Sequence, residues 1–252
     1  MNTIATDGLW WPFGVPPSGA LGRLFCVPYA GAGASAYASW LRQAPPGVAV
    51  VATQLPGREH RLKEPAEPNL HRLIDTLAPA IEPYTWERYS LFGHSMGALV
   101  VFELARALRR LGCPPPDVIF VSGRGAPDAA RPMRPIHMLP DREFIDEIRT
   151  LNGTPDAVLD HPEFTSLFLP ALRADFAVVE TYTYADEPPL ASPISAFGGV
   201  DDTITREALD AWKRHTTARF ALRMLPGGHF VVASARAAIL QAVAGDLAAV
   251  VR

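Results

Sequence analysis

Short apolar runs rich in Val, Ile and Phe alternate along the chain with longer stretches in which apolar residues recur at helical spacing. The short runs are typical of strands buried on both faces, and the longer stretches are typical of amphipathic helices. Their alternation predicts an α/β fold, with a mostly parallel central sheet and helices on both faces. The predicted strands are 23–28, 48–54, 89–92, 118–122, 194–197 and 220–225.

Several segments between these runs combine helical periodicity with capping residues. Asn69 is a predicted N-cap, because a short polar side chain accepts from the free amides of a helix's first turn. A second helix is predicted over 96–111 and should end at Gly112. Thr205 is the predicted cap of a third helix, and one continuous helix is predicted over 231–251.

The stretch from about 126 to 193 interrupts the alternation, since it has helical segments but no convincing strand. Phe144 and Ile148 fall on one helical face, as do Leu172 and Phe176. A lid over a functional site is one destination for these apolar faces, and simple packing onto the sheet edge is another. We expect a single domain, 1–252, in which this stretch is inserted as a helical lid.

Charge and hydropathy narrow the classes of partner. The formal net charge of −3 and the pI near 6.2 argue against broad electrostatic binding to nucleic acid or to an anionic membrane. No stretch approaches the roughly 18 to 20 apolar residues of a membrane span, and the first residues lack a signal-peptide pattern. We therefore expect a cytoplasmic protein with no nucleic-acid partner and no membrane partner.

Residues 93–97 read Gly-His-Ser-Met-Gly and lie between the predicted strand 89–92 and the predicted helix 96–111. This is the context of a nucleophile elbow, in which a sharp strand-to-helix turn exposes a serine hydroxyl. Side chains at Gly93 and Gly97 would collide with neighbouring backbone in so tight a turn. The pattern predicts that Ser95 is a catalytic nucleophile.

A serine nucleophile needs a base, and in hydrolases with such an elbow the chain order is serine, acid, histidine. His229 alone combines a late position with a loop that follows a predicted strand and precedes the last helix, so it is the predicted base. His94 precedes the nucleophile within the elbow and is interpreted as structural. The remaining histidines are expected on the surface: His60, His71, His137, His161 and His215.

The acid is expected directly after the predicted strand 194–197, where residues 198–202 read Gly-Gly-Val-Asp-Asp. Adjacent residues of an extended turn point in different directions, so only one of the two carboxylates can bond the imidazole. We favour Asp201 because its spacing resembles the usual acid turn of such hydrolases. Asp202 is the alternative and would otherwise cap a helix or be solvated.

The tetrahedral intermediate of acyl transfer needs backbone donors for its oxyanion. The amide of Met96, directly after the nucleophile, is one predicted donor. The other should come from the small-residue loop 28–33, where Ala30 is the candidate. The alternative interpretation of this loop is a glycine-rich turn needed only for chain reversal.

Six pieces of the chain resemble one family, the type II (external) thioesterases that accompany polyketide synthases and nonribosomal peptide synthetases. The pieces are FCVPYAGAG at 25–33, QLPGREHR at 54–61, FGHSMG at 92–97, LRADFAVVETYTY at 172–184, GGVDD at 198–202 and PGGHF at 226–230. GHSMG and PGGHF occur in other hydrolases as well, whereas QLPGREHR and the LRADF stretch are more specific. The resemblance spans nearly the whole chain in the expected order.

The resemblance implies an α/β-hydrolase fold and hydrolysis of acyl thioesters on the phosphopantetheine arm of acyl or peptidyl carrier proteins. Such enzymes clear stalled or wrongly loaded groups, need no cofactor or metal, and are usually monomers. The catalytic roles carried over are those of Ser95, Asp201 and His229, with oxyanion donors at Ala30 and Met96. The resemblance also places 172–184 in the lid, and it leaves open whether Arg58 and Glu59 form an internal ion pair or contact substrate.

Two competing functions stay open from the sequence: a chain-terminating thioesterase that releases a finished product, and a non-catalytic relic that binds carrier proteins or a small ligand. Carrier proteins are commonly acidic, so Arg124, Arg131 and Arg134 near the start of the predicted lid are candidates for docking. Ordinary arginines in a solvated loop are the alternative.

Overall fold

Six parallel strands form one sheet in the computed structural model, which describes residues 8–129, 134–151 and 162–250. Their order across the sheet is β2-β1-β3-β4-β5-β6. The strands are β1 (Arg23–Val27), β2 (Ala49–Ala52), β3 (Tyr89–His94), β4 (Ile119–Ser122), β5 (Ile194–Gly199) and β6 (Phe220–Leu225). The prediction of a parallel sheet is confirmed, and all six predicted strands are present with shifts of at most two residues at their ends.

The helices are α1 (Ala38–Gln43), α2 (Leu70–Ile81), α3 (Met96–Arg110), α4 (Asp141–Thr150), α5 (Pro162–Glu180), α6 (Arg206–Asp210), α7 (Val231–Ser234) and α8 (Arg236–Val250). Asn69 caps α2 by accepting from the amide of Arg72, and Thr205 caps α6 by accepting from Ala208, as predicted. The prediction of one continuous last helix is wrong. The backbone at Ala235 leaves the helical region (φ −108°, ψ 24°) and separates α7 from α8.

Strands β1 to β5 bury side chains on both faces, which explains their unbroken apolar runs, whereas the residues of the edge strand β6 are half-buried. In β1, Phe25 and Val27 pack with residues of α2 and α3 on one face. Leu24 and Cys26 point to the other face and pack with Trp40 and residues of α8. All four β1 side chains are fully buried. Helices therefore pack on both faces of the sheet, and the loops that leave its carboxyl edge start from buried strands.

The chain between β4 and β5 carries α4 and α5. Phe144 and Ile148 of α4 pack with Ile136 and with Leu172 of α5 in a small cluster separate from the two sheet faces, and the half-buried Ala30 lies against this cluster. Residues 130–133 and 152–161 of the predicted lid lie outside the described residues. None of the helices in the described part of the chain has both the length and the apolarity needed to cross a bilayer.

Candidate active site

Ser95 lies in the turn between β3 and α3, at the carboxyl edge of the sheet. Its backbone has φ 54° and ψ −113°, in the left-handed half of the dihedral map that side-chain-bearing residues rarely adopt. The Ser95 amide donates to the carbonyl of Ser122 at the end of β4, at 2.8 Å. This neighbouring strand therefore supports the strained turn, which is the backbone signature of a nucleophile elbow.

The two glycines of the elbow are required by the space around them. A Cβ at Gly93 would lie 2.0 Å from the carbonyl oxygen of Gly97, and a Cβ at Gly97 would lie 2.2 Å from the carbonyl oxygen of Val27. Both obstacles are backbone atoms, which cannot turn aside as a flexible side chain could. The elbow therefore packs directly on the end of β1.

His229 connects Ser95 to a buried carboxylate. Its Nε2 lies 3.1 Å from the Ser95 Oγ, and its Nδ1 lies 2.9 Å from the Oδ2 of Asp202. Ser95 follows β3, Asp202 follows β5 and His229 follows β6. The carboxyl ends of these strands share one edge of the parallel sheet. The Asp202 side chain is 2% exposed and that of His229 is 31% exposed. A carboxylate on Nδ1 leaves Nε2 free to accept the serine proton, so the arrangement is suited to nucleophilic catalysis.

The preference for Asp201 as the acid is wrong, because Asp202 is the carboxylate on His229. The ladder between β5 and β6 continues past Gly199, and the Asp201 amide donates to the carbonyl of Gly227 at 3.0 Å, leaving Asp201 itself exposed. The chain then turns, with the Asp202 amide donating to Gly199, and this turn brings the Asp202 carboxylate to the imidazole. The carboxylate that meets His229 therefore lies one residue further along the chain than the sequence spacing suggested.

The Asp202 carboxylate is held in its charged form. Burial acts to raise its pKa, but the hydrogen bond and charge of His229, with the amides of Ile204 and Thr203, outweigh burial and lower the pKa below its usual value. Asp202 is consequently ionised at neutral pH. A fixed negative charge at this position stabilises the imidazolium that forms when His229 takes a proton.

His94, next to the nucleophile, is fully buried, and its Nδ1 lies 3.0 Å from the Ser122 Oγ. Its ring contacts those of His229 and Tyr29, with centroids 5.2 and 5.6 Å away. Burial, and to a smaller extent the positive charge of protonated His229, lower the pKa of His94 to about 3, against an opposing effect of Asp202. His94 is therefore a neutral packing residue at working pH, which agrees with the structural role expected from its position.

The other histidines divide between surface and interior. His60 and His71 are exposed as expected. The expectation for His215 is wrong, because it is 5% exposed and its Nε2 lies 2.9 Å from Asp128. It is also wrong for His137, whose side chain is 15% exposed and pairs with the buried Glu180. His161 lies outside the described residues. None of these described histidines contacts Ser95, so His229 is the imidazole that the fold brings to the elbow.

The chain leaving β1 forms what we call the β1 loop, residues 28–35, beside the elbow. Val27 of β1 pairs with Gly93 of β3, so the two strands end side by side. Ala30 and Met96 each lie three residues beyond this pair. Met96 is the first residue of α3, where an amide lacks an intrahelical acceptor. Among the described residues, none accepts a hydrogen bond from the Ala30 amide. Both amides thus stay candidates for an oxyanion that a substrate would supply.

Other amides of the β1 loop are held by side chains that come from elsewhere in the chain. Ala34 donates to the Oε1 of Gln54 at 2.9 Å, and Ser35 donates to Glu59 at 3.3 Å. Gly31 donates to the Oδ2 of Asp175 at 2.7 Å. The loop is therefore built by long-range contacts and not by its own sequence alone.

The sequence pointed to Ser95 and His229 and left the role of Arg58 and Glu59 open, but it did not indicate Asp175. Glu59 accepts a hydrogen bond from the Ser35 amide, and the internal ion pair, which is buried against the β1 loop, is that of Arg58 with Asp175. The available signal was that both residues lie in the most distinctive pieces of the sequence, 54–61 and 172–184. Across the described part of the chain, no group of three or more His, Cys, Asp or Glu side chains is arranged to hold a metal ion.

Known proteins resemble this chain in sequence and in fold. The model of the thioesterase domain family matches residues 22–248. The gramicidin S biosynthesis protein GrsT of Aneurinibacillus migulanus is 43% identical over 231 residues, which cover 91% of this chain and 90% of GrsT.

Two solved structures superpose closely. One is the RedJ thioesterase of the prodiginine biosynthetic pathway in Streptomyces coelicolor, with a TM-score of 0.85, 39% identity and 92% of each chain covered. The other is the type II thioesterase BorB of the borrelidin biosynthetic cluster, with a TM-score of 0.85, 36% identity, and 95% of this chain and 98% of BorB covered. The elbow, the parallel sheet and these matches agree, and the chain belongs to the thioesterase domain family, within its type II thioesterases of α/β-hydrolase fold.

Proposed function

We propose that this thioester hydrolase removes stalled or aberrant acyl groups from the phosphopantetheine arm of acyl or peptidyl carrier proteins in polyketide or nonribosomal peptide biosynthesis. The observation that carries the proposal is the hydrogen-bonded series of Ser95, His229 and Asp202 within the type II thioesterase fold. A thioester carbonyl is more reactive than an amide carbonyl. A serine nucleophile with one histidine base is therefore sufficient to hydrolyse it. GrsT is a gramicidin S biosynthesis protein and BorB is a type II thioesterase of the borrelidin biosynthetic cluster, and both names support a role in a biosynthetic pathway.

In the acylation step, the Ser95 Oγ attacks the thioester carbonyl while His229 Nε2 takes the hydroxyl proton. Negative charge develops on the carbonyl oxygen, and the amides of Ala30 and Met96 are the proposed donors to it. The tetrahedral intermediate collapses by breaking its C–S bond. The departing phosphopantetheine sulfur receives the proton from His229, which leaves a free carrier thiol and an acylated Ser95.

In the deacylation step, His229 takes a proton from water as the water oxygen attacks the acyl carbonyl. The second intermediate releases the carboxylic acid, and the proton on His229 returns to the Ser95 oxygen. Asp202 keeps the imidazole oriented and balances its charge in both steps. These steps require no cofactor, since the nucleophile, base and orienting acid all belong to the chain.

The setting proposed for this activity is cytoplasmic, with a monomeric enzyme that meets its carrier protein in solution and α4 and α5 acting as part of a lid. Arg124 is only 5% exposed and cannot present its charge to a partner, so the idea that it docks the carrier protein is wrong. Arg131 lies outside the described residues. Arg134 is exposed and keeps its place as a candidate for carrier docking.

The two competing functions have less support. A chain-terminating thioesterase is not favoured, because BorB, a type II thioesterase, matches most of both chains. A non-catalytic relic would have no reason to retain a strained serine in contact with an imidazole and a buried, ionised carboxylate.

The test is release of acetyl and longer acyl groups from a phosphopantetheinylated carrier protein, measured by mass spectrometry for wild type and Ser95→Ala. We expect Ser95→Ala to lower turnover by roughly 10⁴- to 10⁶-fold, as for loss of a serine nucleophile elsewhere. Ser18→Ala is the matched control, since Ser18 lies near Arg88 just before β3 begins, at the opposite edge of the sheet.

Substantial release by Ser95→Ala would overturn the assignment of the nucleophile. Hydrolysis of simple esters by wild type without release from any carrier protein would instead make the chain a general esterase with the same catalytic residues.

A further inference from the structure

The Arg58–Asp175 pair is an unusual element of this site, because both charges are removed from water. The two side chains are 4% and 3% exposed. Arg58 contacts both carboxylate oxygens, and its Nη2 lies 2.8 Å from Asp175 Oδ1. Arg58 follows β2 and Asp175 lies in α5, so the pair joins two elements that are distant in the sequence.

The pair also holds the β1 loop at two points. The Gly31 amide donates to Asp175 Oδ2 at 2.7 Å, and Arg58 Nη1 donates to the carbonyl oxygen of Ala32 at 3.3 Å. The Gly31 amide belongs to the peptide unit that begins at Ala30. The orientation of the peptide on the carboxyl side of Ala30 is therefore set by a carboxylate of α5.

The backbone of Gly31 has a φ of +78°. Glycine adopts this conformation about as readily as others, so contacts from outside the loop are needed to select it. A Cβ at this position would lie 2.8 Å from Leu172 Cδ1, so α5 also approaches the loop through van der Waals contact. The contacts with α5 therefore favour this conformation of Gly31 over the others that are open to a glycine.

Stability alone is a weak reason for such a pair. Desolvation of two charges offsets most of their attraction, and apolar replacements of similar volume are often equally stable. What the planar guanidinium and the carboxylate do supply is orientation, since each makes several bonds in fixed directions. The value of this pair therefore lies in the geometry that it imposes on the β1 loop.

We propose that Arg58 and Asp175 are positioning residues, which hold the β1 loop in the conformation that lets the Ala30 amide donate to the oxyanion. The proposal rests on the proposed function, since it deepens the role of the same site. Because Asp175 belongs to α5, the oxyanion donor is in place only while α5 is packed against the loop. Docking of α5 and assembly of the oxyanion site are thus one event.

The primary test is Asp175→Asn, which keeps the shape of the side chain but removes its charge and places an amide group near Arg58. We expect kcat on a soluble acyl thioester to fall about 10- to 100-fold, below the 10²- to 10³-fold typical of deleting an oxyanion donor outright. KM should stay within about threefold, because ground-state binding does not use the oxyanion donors.

A trifluoromethyl ketone provides a readout that a merely structural role would not change. Ser95 adds to this inhibitor and forms a tetrahedral oxyanion that needs the same donors as the reaction. We expect its Ki for Asp175→Asn to rise by the same factor as kcat/KM falls. Equal changes in the two quantities are the signature of an altered oxyanion site.

Glu103→Gln is the matched control, because Glu103 and Arg106 form another buried pair with side chains 4% and 2% exposed. This variant should lower the melting temperature but leave kcat and the inhibitor Ki unchanged. If Asp175→Asn behaves in the same way, with a lower melting temperature and normal kinetics at temperatures where it is folded, the pair is structural and the proposal fails.

A double variant, Arg58→Asp with Asp175→Arg, exchanges the two charges. It distinguishes the effect of the ion pair from the effect of the hydrogen bond between Asp175 and Gly31. The attraction is restored, but the Gly31 amide then meets a guanidinium, so activity should stay low; recovery of wild-type kcat would overturn the proposal. If the exchanged protein does not fold, the comparison of Asp175→Asn with Glu103→Gln still decides. The soluble thioester keeps this test independent of the carrier protein, so failure of the proposed substrate would show separately as absent carrier release by wild type.

Discussion

Ser95, Asp202 and His229 lie beside the β1 loop, but these two parts of the site are built in different ways. Ser95, Asp202 and His229 each follow a strand within a few residues, and short glycine-containing turns aim their side chains at one another. The β1 loop is instead held by partners 20 and 144 residues away in the chain. The proposed nucleophile and base thus depend on the edge of the sheet, whereas the proposed oxyanion donor at Ala30 depends on how α5 and the chain after β2 pack.

Among the substitutions that test this comparison, Asp202→Asn is expected to have the largest effect on kcat. The amide retains the shape of the side chain but no longer fixes the Nδ1 proton of His229 or balances its charge. We expect kcat to fall about 10²- to 10⁴-fold, measured as release of thiol from an acyl thioester. The fold should persist, because the replacement is isosteric.

Asp201→Asn is the control for this prediction, since Asp201 is exposed and only its backbone takes part in the ladder. It should keep kcat within about twofold, in line with the small effects of most surface substitutions. The reverse result, in which Asp201→Asn abolishes activity and Asp202→Asn does not, would restore the assignment made from the sequence and contradict the observed geometry.

A smaller effect is expected at the contact between the two regions, where Gly97 of the elbow meets the end of β1. Gly97→Ala would place a Cβ 2.2 Å from the Val27 carbonyl oxygen, so either α3 or the start of the β1 loop must move. We expect a loss of about 1–3 kcal/mol in the free energy of unfolding, measured with urea, together with a lower kcat.

Gly245→Ala is the matched helical glycine, because nothing lies within 4 Å of a Cβ at that position in α8. It should raise stability by up to about 1 kcal/mol through helix propensity. A similar response from both glycines would mean that the approach of the elbow to β1 is looser than it is in the structure.

A further effect, on stability and not on kcat, concerns the pH dependence of unfolding, through His94 between the elbow and Tyr29 of the β1 loop. In the folded protein the pKa of His94 is lowered to about 3, against about 6.5 when unfolded. Between these values the unfolded chain binds the extra proton, so stability falls as pH drops, by at most about 1.4 kcal/mol per pH unit. Urea unfolding of wild type and His94→Gln from pH 7 to pH 4 measures the difference in slope.

Wild type should lose stability more steeply over this range than His94→Gln, whatever the absolute stability of the variant. His71→Gln is the control, since His71 is exposed and its replacement should leave the slope unchanged. Parallel slopes for wild type and His94→Gln would show that the buried ring takes up a proton in the folded state.

The positions of the strands and of the elbow were predictable because their causes are local. An apolar run of strand length has few alternatives in a chain with this alternation. Ser95 was found because two glycines and a strand-helix context leave little other explanation for the pattern. The break at Ala235 was not found, since nothing in the apolar periodicity of 231–251 interrupts a helix there.

The choice between Asp201 and Asp202 could not be made from the sequence. It depends on how far the β5–β6 ladder continues beyond Gly199, and one additional backbone bond from Asp201 to Gly227 changes which carboxylate faces His229. Periodicity and spacing do not report the exact end of a strand, where one residue reverses the direction of a side chain.

By itself, the sequence determined the parallel sheet, the elbow with Ser95, the loop that carries His229 and the likeness to type II thioesterases, because each is encoded in a short continuous pattern. Only the tertiary structure decided that Asp202 meets His229, that Arg58 pairs with Asp175, and that this pair holds Gly31. The physical reason is that a buried charge must find its partner in space, and its location depends on the packing of whole elements.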